Sequence, residues 1–108
     1  MHALLIDDSR SVRMLISRIL REQGFEVCEA TNGQEGLSQL QAHPDIRLVL
    51  VDWNMPVMDG LEFIRAVRRD RCWDSVQLVM VTTETESDQV ARAISAGANE
   101  YVMKPFTP

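Results

Sequence analysis

The sequence predicts an α/β fold in which helices cover both faces of a five-stranded parallel sheet. Short apolar runs alternate along the chain with segments whose apolar residues recur at helical spacing, in units of about 20 to 25 residues. The apolar run at 48–51 has no polar alternation, which is typical of a strand buried on both faces. Together these two observations favour a doubly wound parallel sheet with right-handed crossovers.

The first half of the chain contains two strand–helix units. The apolar run at 3–6 is the first strand, and the helix after it carries apolar residues along one face until Gly24 ends it. The second strand is 25–30. The helix that follows begins after Asn32-Gly33 and ends near His43-Pro44.

The second half repeats this pattern and adds a last strand. The predicted strands are 47–51, 76–82 and 100–105. The predicted helices are 61–69 and 87–96, and the second of them is closed by Gly97.

Length and composition indicate one soluble domain. The chain has 108 residues, of which 45% are hydrophobic and 25% charged, and no apolar run approaches the roughly 18 residues of a membrane span. No basic and apolar leader follows Met1, so we expect a cytoplasmic protein that does not insert into membranes. The net charge of −5 argues against direct nucleic-acid binding. We interpret the four arginines within 65–71 as the solvated end of a helix.

The cysteines and histidines give no sign of a metal site. Cys28 and Cys72 are far apart and fit no paired ligand spacing, so we interpret both as packing residues. His2 and His43 stand apart from other ligand-type clusters, and we interpret them as surface residues.

Polar residues occupy the carboxyl ends of four predicted strands. These residues are Asp7 and Asp8 after the first strand, Asp52 after the third, Thr82 at the end of the fourth and Lys104 at the end of the fifth. Because the carboxyl ends of parallel strands meet at one edge of the sheet, we expect these side chains to share one rim.

Three carboxylates on one rim indicate a divalent cation, because like charges at close range disfavour joint ionisation. Mg²⁺ fits best, since it prefers oxygen ligands and keeps room for a substrate phosphate, whereas no loop supplies the six to eight oxygens that Ca²⁺ usually takes. Asp52 would be the nucleophile in phosphoryl transfer. Lys104 and Thr82 would surround the transferred group.

Four stretches, LLIDDS, LVLVDWNMPVMDG, VMVTTE and EYVMKPF, make the chain similar to the receiver domains of two-component response regulators, especially the single-domain chemotaxis regulators. The resemblance implies a flavodoxin-like sheet with strand order 2-1-3-4-5. It also implies that Asp52 accepts a phosphoryl group from the phosphohistidine of a histidine kinase or phosphotransfer protein. Mg²⁺ would be bound directly by Asp8, by Asp52 and by the backbone carbonyl of Asn54, and through water by Asp7.

The resemblance also assigns the residues that respond to phosphorylation. Lys104 would pair with the phosphoryl group, and Thr82 and Tyr101 match the family's switch pair. Thr83 departs from the smaller residue that the family usually has beside the site, so we expect access to the site and the rate of dephosphorylation to differ from those of other members.

A second departure concerns the end of the chain. The family has a fifth helix after its fifth strand, whereas this sequence ends at Pro108, so we expect a receiver domain over 1–108 that is truncated after the fifth strand. We expect the chain to self-associate through the sheet face that this helix would cover, because a parallel sheet rarely leaves one face in water.

Other functions fit the sequence less well. Phosphatases and phosphotransferases of the haloacid dehalogenase type need a second acidic residue two positions after the nucleophile, where this chain has Asn54. A binding module that has lost phosphorylation would lack part of the acidic pair, the acceptor or the lysine, and a dinucleotide-binding fold would need a glycine-rich loop after the first strand. We therefore predict a phosphoacceptor switch that catalyses only its own phosphorylation and dephosphorylation. The sequence does not identify its kinase or output partner.

Overall fold

Strands and helices alternate throughout the computed structural model, which describes residues 1–82 and 87–103, apart from the side chain of Ser87. The strands are β1 (His2–Ile6), β2 (Glu26–Ala30), β3 (Ile46–Val51), β4 (Gln77–Thr82) and β5 (Glu100–Met103). The helices are α1 (Arg10–Glu22), α2 (Gly33–Ala42), α3 (Gly60–Arg68) and α4 (Ser87–Ala96), with a short 3₁₀ helix at Arg71–Trp73. None of the helices in the described part of the chain has the length and apolar character that a membrane crossing requires.

All five strands are parallel, and their order in the sheet is β2-β1-β3-β4-β5. Ile6 at the end of β1 is paired with Ala30 on one side and Val51 on the other, so these three strands end side by side. The predicted fold class and strand order are confirmed. The order places the ends of β1 and β3 next to each other at the edge where the predicted site lies.

Alternation along the strands divides the core between the two faces of the sheet. Leu4 and Ile6 belong to the larger cluster, which α2, α3 and α4 cover and which contains Phe63. Ala3 and Leu5 face the other way and pack with α1. The larger core therefore fixes β1 and β3 from one face, while α1 packs on β1 and β2 from the other.

The histidines and cysteines differ in part from the prediction. His2 lies between two carboxylates, with Nε2 2.5 Å from Glu26 and Nδ1 2.6 Å from Asp45, so it is not isolated from other polar side chains. Cys28 packs against the larger core as predicted, and its pKa is raised by burial and by those two carboxylates. Cys72 is exposed, so its interpretation as a packing residue is wrong.

The interpretation of the arginine cluster as merely solvated is wrong for Arg68. Its guanidinium donates to the backbone carbonyls of Gly97 at 3.0 Å, Trp73 at 3.0 Å and Val76 at 2.8 Å, and to Oδ1 of Asn99 at 2.8 Å. Burial lowers the pKa of this guanidinium. Arg68 thus connects the end of α3 to the start of β4 and to the turn before β5.

Candidate functional site

The structure brings the three predicted carboxylates together where β1 and β3 end. The hydrogen bonds between strands continue beyond the ends of β1 and β3. The amide of Asp7 donates to the carbonyl of Ala30 at 3.1 Å, and the amide of Asp52 donates to the carbonyl of Ile6 at 2.9 Å. One carboxylate oxygen from each of Asp7, Asp8 and Asp52 lies within 4.8 Å of the others. The backbone pairing of adjacent strands is therefore what sets the spacing of these side chains.

Burial makes this cluster suited to a cation. Asp7 is 2% exposed and Asp52 is 6% exposed, while Asp8 is open to solvent. A buried carboxylate is costly unless it is paired or binds a metal. A set of carboxylate oxygens that is buried on one side and open on the other fits Mg²⁺, which takes few protein ligands and keeps several waters.

Asp7 also organises the start of α1. Its Oδ1 accepts the amide of Ser9 at 2.9 Å, and its carbonyl accepts Nη1 of Arg13 at 2.7 Å. Ser9 is the N-cap of α1, and its hydroxyl accepts the amide of Val12 at 3.4 Å. The helix start therefore holds Asp7 in place beside the rim.

The loop after β3 holds Asp52 from the other side. Oδ1 of Asp52 accepts the amide of Trp53 at 2.8 Å, and the carbonyl of Trp53 accepts the amide of Gly60 at 2.9 Å. Asp59 caps α3 through a capping box with Glu62, which fixes the position of Gly60. The conformation of Asp52 thus depends on the first turn of α3.

The two predicted switch residues, Thr82 and Tyr101, lie on the same face of the sheet. Thr82 is fully buried at the end of β4, and Tyr101 is half-buried on β5. Tyr101 is paired with the residue two positions before Thr82, so both side chains point to the face that carries the larger core. Asn54 is exposed just after β3. Thr83 and Lys104 lie outside the described residues.

Sequence analysis missed two residues beside the site, Trp53 and Arg92. The guanidinium carbon of Arg92, on α4, lies 5.5 Å from the centroid of the Trp53 ring. Trp53 is 7% exposed and belongs to the larger core. The signal in the sequence was the placement of a tryptophan directly after Asp52, but nothing local pointed to its partner on α4.

Comparison with known proteins gives consistent matches over the whole chain. The family model described as a response regulator receiver domain matches residues 3–108. The chemotaxis protein CheY1 of Helicobacter pylori strain J99 is 40% identical, with all of this chain and 88% of that protein covered. The CheY homolog of Campylobacter jejuni strain 81-176 is 39% identical, with all of this chain and 84% of that protein covered. Among solved structures, Vibrio cholerae CheY4 superposes with a TM-score of 0.90 at 36% identity and covers 99% of this chain and 88% of its own.

Proposed function

The chain belongs to the response regulator receiver domain family, and on this premise we propose a role for Asp52. It accepts a phosphoryl group from a phosphohistidine and thereby switches the conformation of the domain. The observation that carries this proposal is the cluster of Asp7, Asp8 and Asp52 within 4.8 Å at one rim. In the transfer, a carboxylate oxygen of Asp52 forms a bond to phosphorus while the bond from phosphorus to the histidine nitrogen breaks.

The acidic cluster would hold Mg²⁺ in this reaction. Asp8, Asp52 and the backbone carbonyl of Asn54 would bind the ion directly, and Asp7 would act through water. When bound, Mg²⁺ supplies positive charge that neutralises the phosphoryl oxygens. Lys104, at the end of the predicted fifth strand, would add a second positive charge.

Thr82 and Tyr101 would carry the signal away from the site. The hydroxyl of Thr82 would bond a phosphoryl oxygen, and the Tyr101 ring would then turn inward behind it. Both residues lie on the face of the sheet that carries the larger core, which supports this role. The switch would bias a pre-existing equilibrium between two conformations.

The partners follow from this chemistry. The phosphoryl donor would be a histidine kinase or phosphotransfer protein in the cytoplasm, and the output would be contact with another protein without direct binding to nucleic acid or membrane. The domain would catalyse only its own phosphorylation and dephosphorylation. We also propose that a second copy of the chain covers the exposed apolar residues beside α1.

The test of the site is phosphorylation by acetyl phosphate with Mg²⁺, followed by intact-mass spectrometry. We expect one phosphoryl group, which is lost in Asp52→Asn and in the parent when EDTA removes the metal. Asp74→Asn is the matched control, because Asp74 is exposed and lies before β4, away from the rim. Undiminished labelling of Asp52→Asn would remove the assignment of Asp52.

A further inference from the structure

Arg92 and Trp53 form a contact between α4 and the loop that carries Asp52. The guanidinium carbon lies 5.5 Å from the ring centroid, within the range at which a cation is attracted to an indole face. Trp53 is 7% exposed, so its ring is held by the core, whereas Arg92 is exposed on α4. The fixed partner is therefore the ring, and the arginine orients its helix against it.

The rest of α4 packs on α3 and β5 through small apolar side chains, Ala93 and Ala96. Within the described side chains of this helix, Ala93 is the only buried apolar residue, and Ile94 is 47% exposed. An alanine buries little area, so it contributes less attachment than a leucine or phenylalanine would. The contact of Arg92 with Trp53 therefore adds a specific contact, to the loop that carries Asp52, to the packing of α4 on α3 and β5.

The same tryptophan is bonded to the site. Its backbone amide donates to Oδ1 of Asp52 at 2.8 Å, and that bond is charge-assisted while Asp52 is a carboxylate. Phosphoryl transfer converts the carboxylate into an acyl phosphate, in which the acyl oxygen is no longer anionic. The hydrogen bond to Trp53 then weakens, because charge-assisted bonds are about twice as strong as neutral ones.

We propose that Arg92 is the positioning residue through which α4 responds to phosphorylation of Asp52, with Trp53 as the connection. This inference rests on the proposed function. Phosphorylation loosens the backbone of Trp53, the ring shifts under the guanidinium, and α4 changes its position or its mobility. Arg92 touches neither the phosphoryl group nor the acidic cluster in this account.

The test uses two substitutions made in a Trp73→Phe background, so that Trp53 is the only tryptophan. Arg92→Met keeps a long apolar side chain without the charge, and Arg92→Lys keeps the charge. Acetyl phosphate with Mg²⁺ supplies the phosphoryl group, labelling is measured by intact mass, and hydrogen exchange of the α4 amides and Trp53 emission are recorded with and without it.

We expect Arg92→Met to be labelled as the parent is. Without phosphoryl donor, its α4 amides should exchange about two- to fivefold faster, as expected from loss of an exposed cation–π contact. The change in α4 exchange and in Trp53 emission on phosphorylation should be mostly lost in Arg92→Met and largely kept in Arg92→Lys. Rescue by lysine would not occur if the residue served only to fill space.

Three outcomes would overturn the proposal. The first is a labelled parent whose α4 exchange does not respond, and the second is a response in Arg92→Met equal to that of the parent. The third is equal loss in Arg92→Met and Arg92→Lys, which would show that charge is not the cause. A parent that is not labelled at all would instead overturn the proposed function, and the coupling with it, so the labelling measurement separates the two failures.

Discussion

Gly60 holds the backbone of Asp52 in place through close approach of the first turn of α3 to the loop after β3. A Cβ atom at this position would overlap the carbonyl oxygen of Asp52 and lie 3.0 Å from Cα of Trp53. Both are backbone atoms, which cannot move aside as the end of a side chain can. The geometry of Asp52 therefore depends on a residue that carries no chemistry of its own.

We expect Gly60→Ala to lose about 1–3 kcal/mol of unfolding free energy, as for overpacking, and to be labelled by acetyl phosphate at least about tenfold more slowly. Gly36→Ala is the control, because a Cβ there meets the side-chain ends of Ile6 and Phe63 and not the backbone. Its labelling rate should remain close to that of the parent. Urea unfolding and mass spectrometry measure both effects, and parental labelling of Gly60→Ala would refute the dependence.

We expect a substitution at Thr82 to separate phosphorylation of Asp52 from its conformational consequence. Moving a population from 1:99 to 99:1 requires about 5.5 kcal/mol of differential interaction, whereas one hydrogen bond contributes about 0.5–1.5 kcal/mol. We therefore expect Thr82→Ala to be labelled and to show a reduced but measurable change in hydrogen exchange of β5, while Thr82→Ser keeps the full change. A full response in Thr82→Ala would show that its hydroxyl takes no part in the switch.

At the scale of elements, Arg68 links the end of α3 to three other parts of the chain. It ends α3 and bonds to the 3₁₀ helix, to the start of β4 and to the turn between α4 and β5. Oδ1 of Asn99 also accepts the amide of Leu78 at 2.8 Å, so the network includes the first bonds of β4. A half-buried charge that donates to several carbonyls is costly to remove, because those acceptors lose their partners.

We expect Arg68→Ala to lower the unfolding free energy by about 2–4 kcal/mol, and Arg68→Lys to recover only part of it, since lysine lacks the planar fork of donors. Arg65→Ala is the matched control on the exposed side of the same helix, and it should change stability by less than about 0.5 kcal/mol. Urea unfolding curves fitted with a common m-value give the unfolding free energies of the variants for comparison. Equal stability of Arg68→Ala and Arg65→Ala would contradict the role of Arg68.

Local patterns predicted the elements well because each pattern reflects burial of the element itself. The predicted strand at 47–51 and the observed β3 (Ile46–Val51) differ by one residue, because an apolar run this short, bounded by turn residues, has the length of a strand and not of a helix. The clustering of Asp7, Asp8 and Asp52 followed from parallel strands ending at one rim. The bonds of Arg68 and the contact of Arg92 with Trp53 were not predictable, because their partners are distant in sequence and share no periodicity.

At the scale of the whole molecule, the two faces of the sheet are covered unequally. The face that packs with α1 includes Leu48, Leu50 and Val79, which are only partly buried, and Val102 on β5, which is 43% exposed. On α1 itself, Arg13 reaches Glu29 of β2 with Nε 3.2 Å from Oε1, which identifies the side of the helix nearest β2.

Leu15 and Ile19 lie one turn apart on the other side of α1, and they are 43% and 46% exposed. Together with Val102 they form an apolar surface that runs from α1 across the far strands of the sheet. This surface has the composition of an interface and not of a solvated face, because it contains several large, exposed apolar side chains.

Burying this surface in a symmetric pair of 108-residue chains would stabilise the pair. Each of these three side chains would gain about 1 kcal/mol, since roughly half of its area remains to be buried, and symmetry doubles the sum to about 6 kcal/mol. Further burial of Leu48, Leu50 and Val79 in both copies would add roughly 4 kcal/mol, which offsets the entropic cost of association at its lower estimate of about 4 kcal/mol. We therefore expect a dimer with a dissociation constant on the order of 10–100 μM.

Multi-angle light scattering across about 5 to 500 μM protein measures this association. Ile19→Glu should shift the dimer to monomer, because each copy would bury a carboxylate in an apolar interface. Ile94→Glu is the matched control, since Ile94 is similarly exposed at 47% but lies on α4, which covers the opposite face of the sheet. It should leave the dimer intact. A parent chain that remains monomeric at about 500 μM, or equal weakening by the two substitutions, would exclude this surface as the interface.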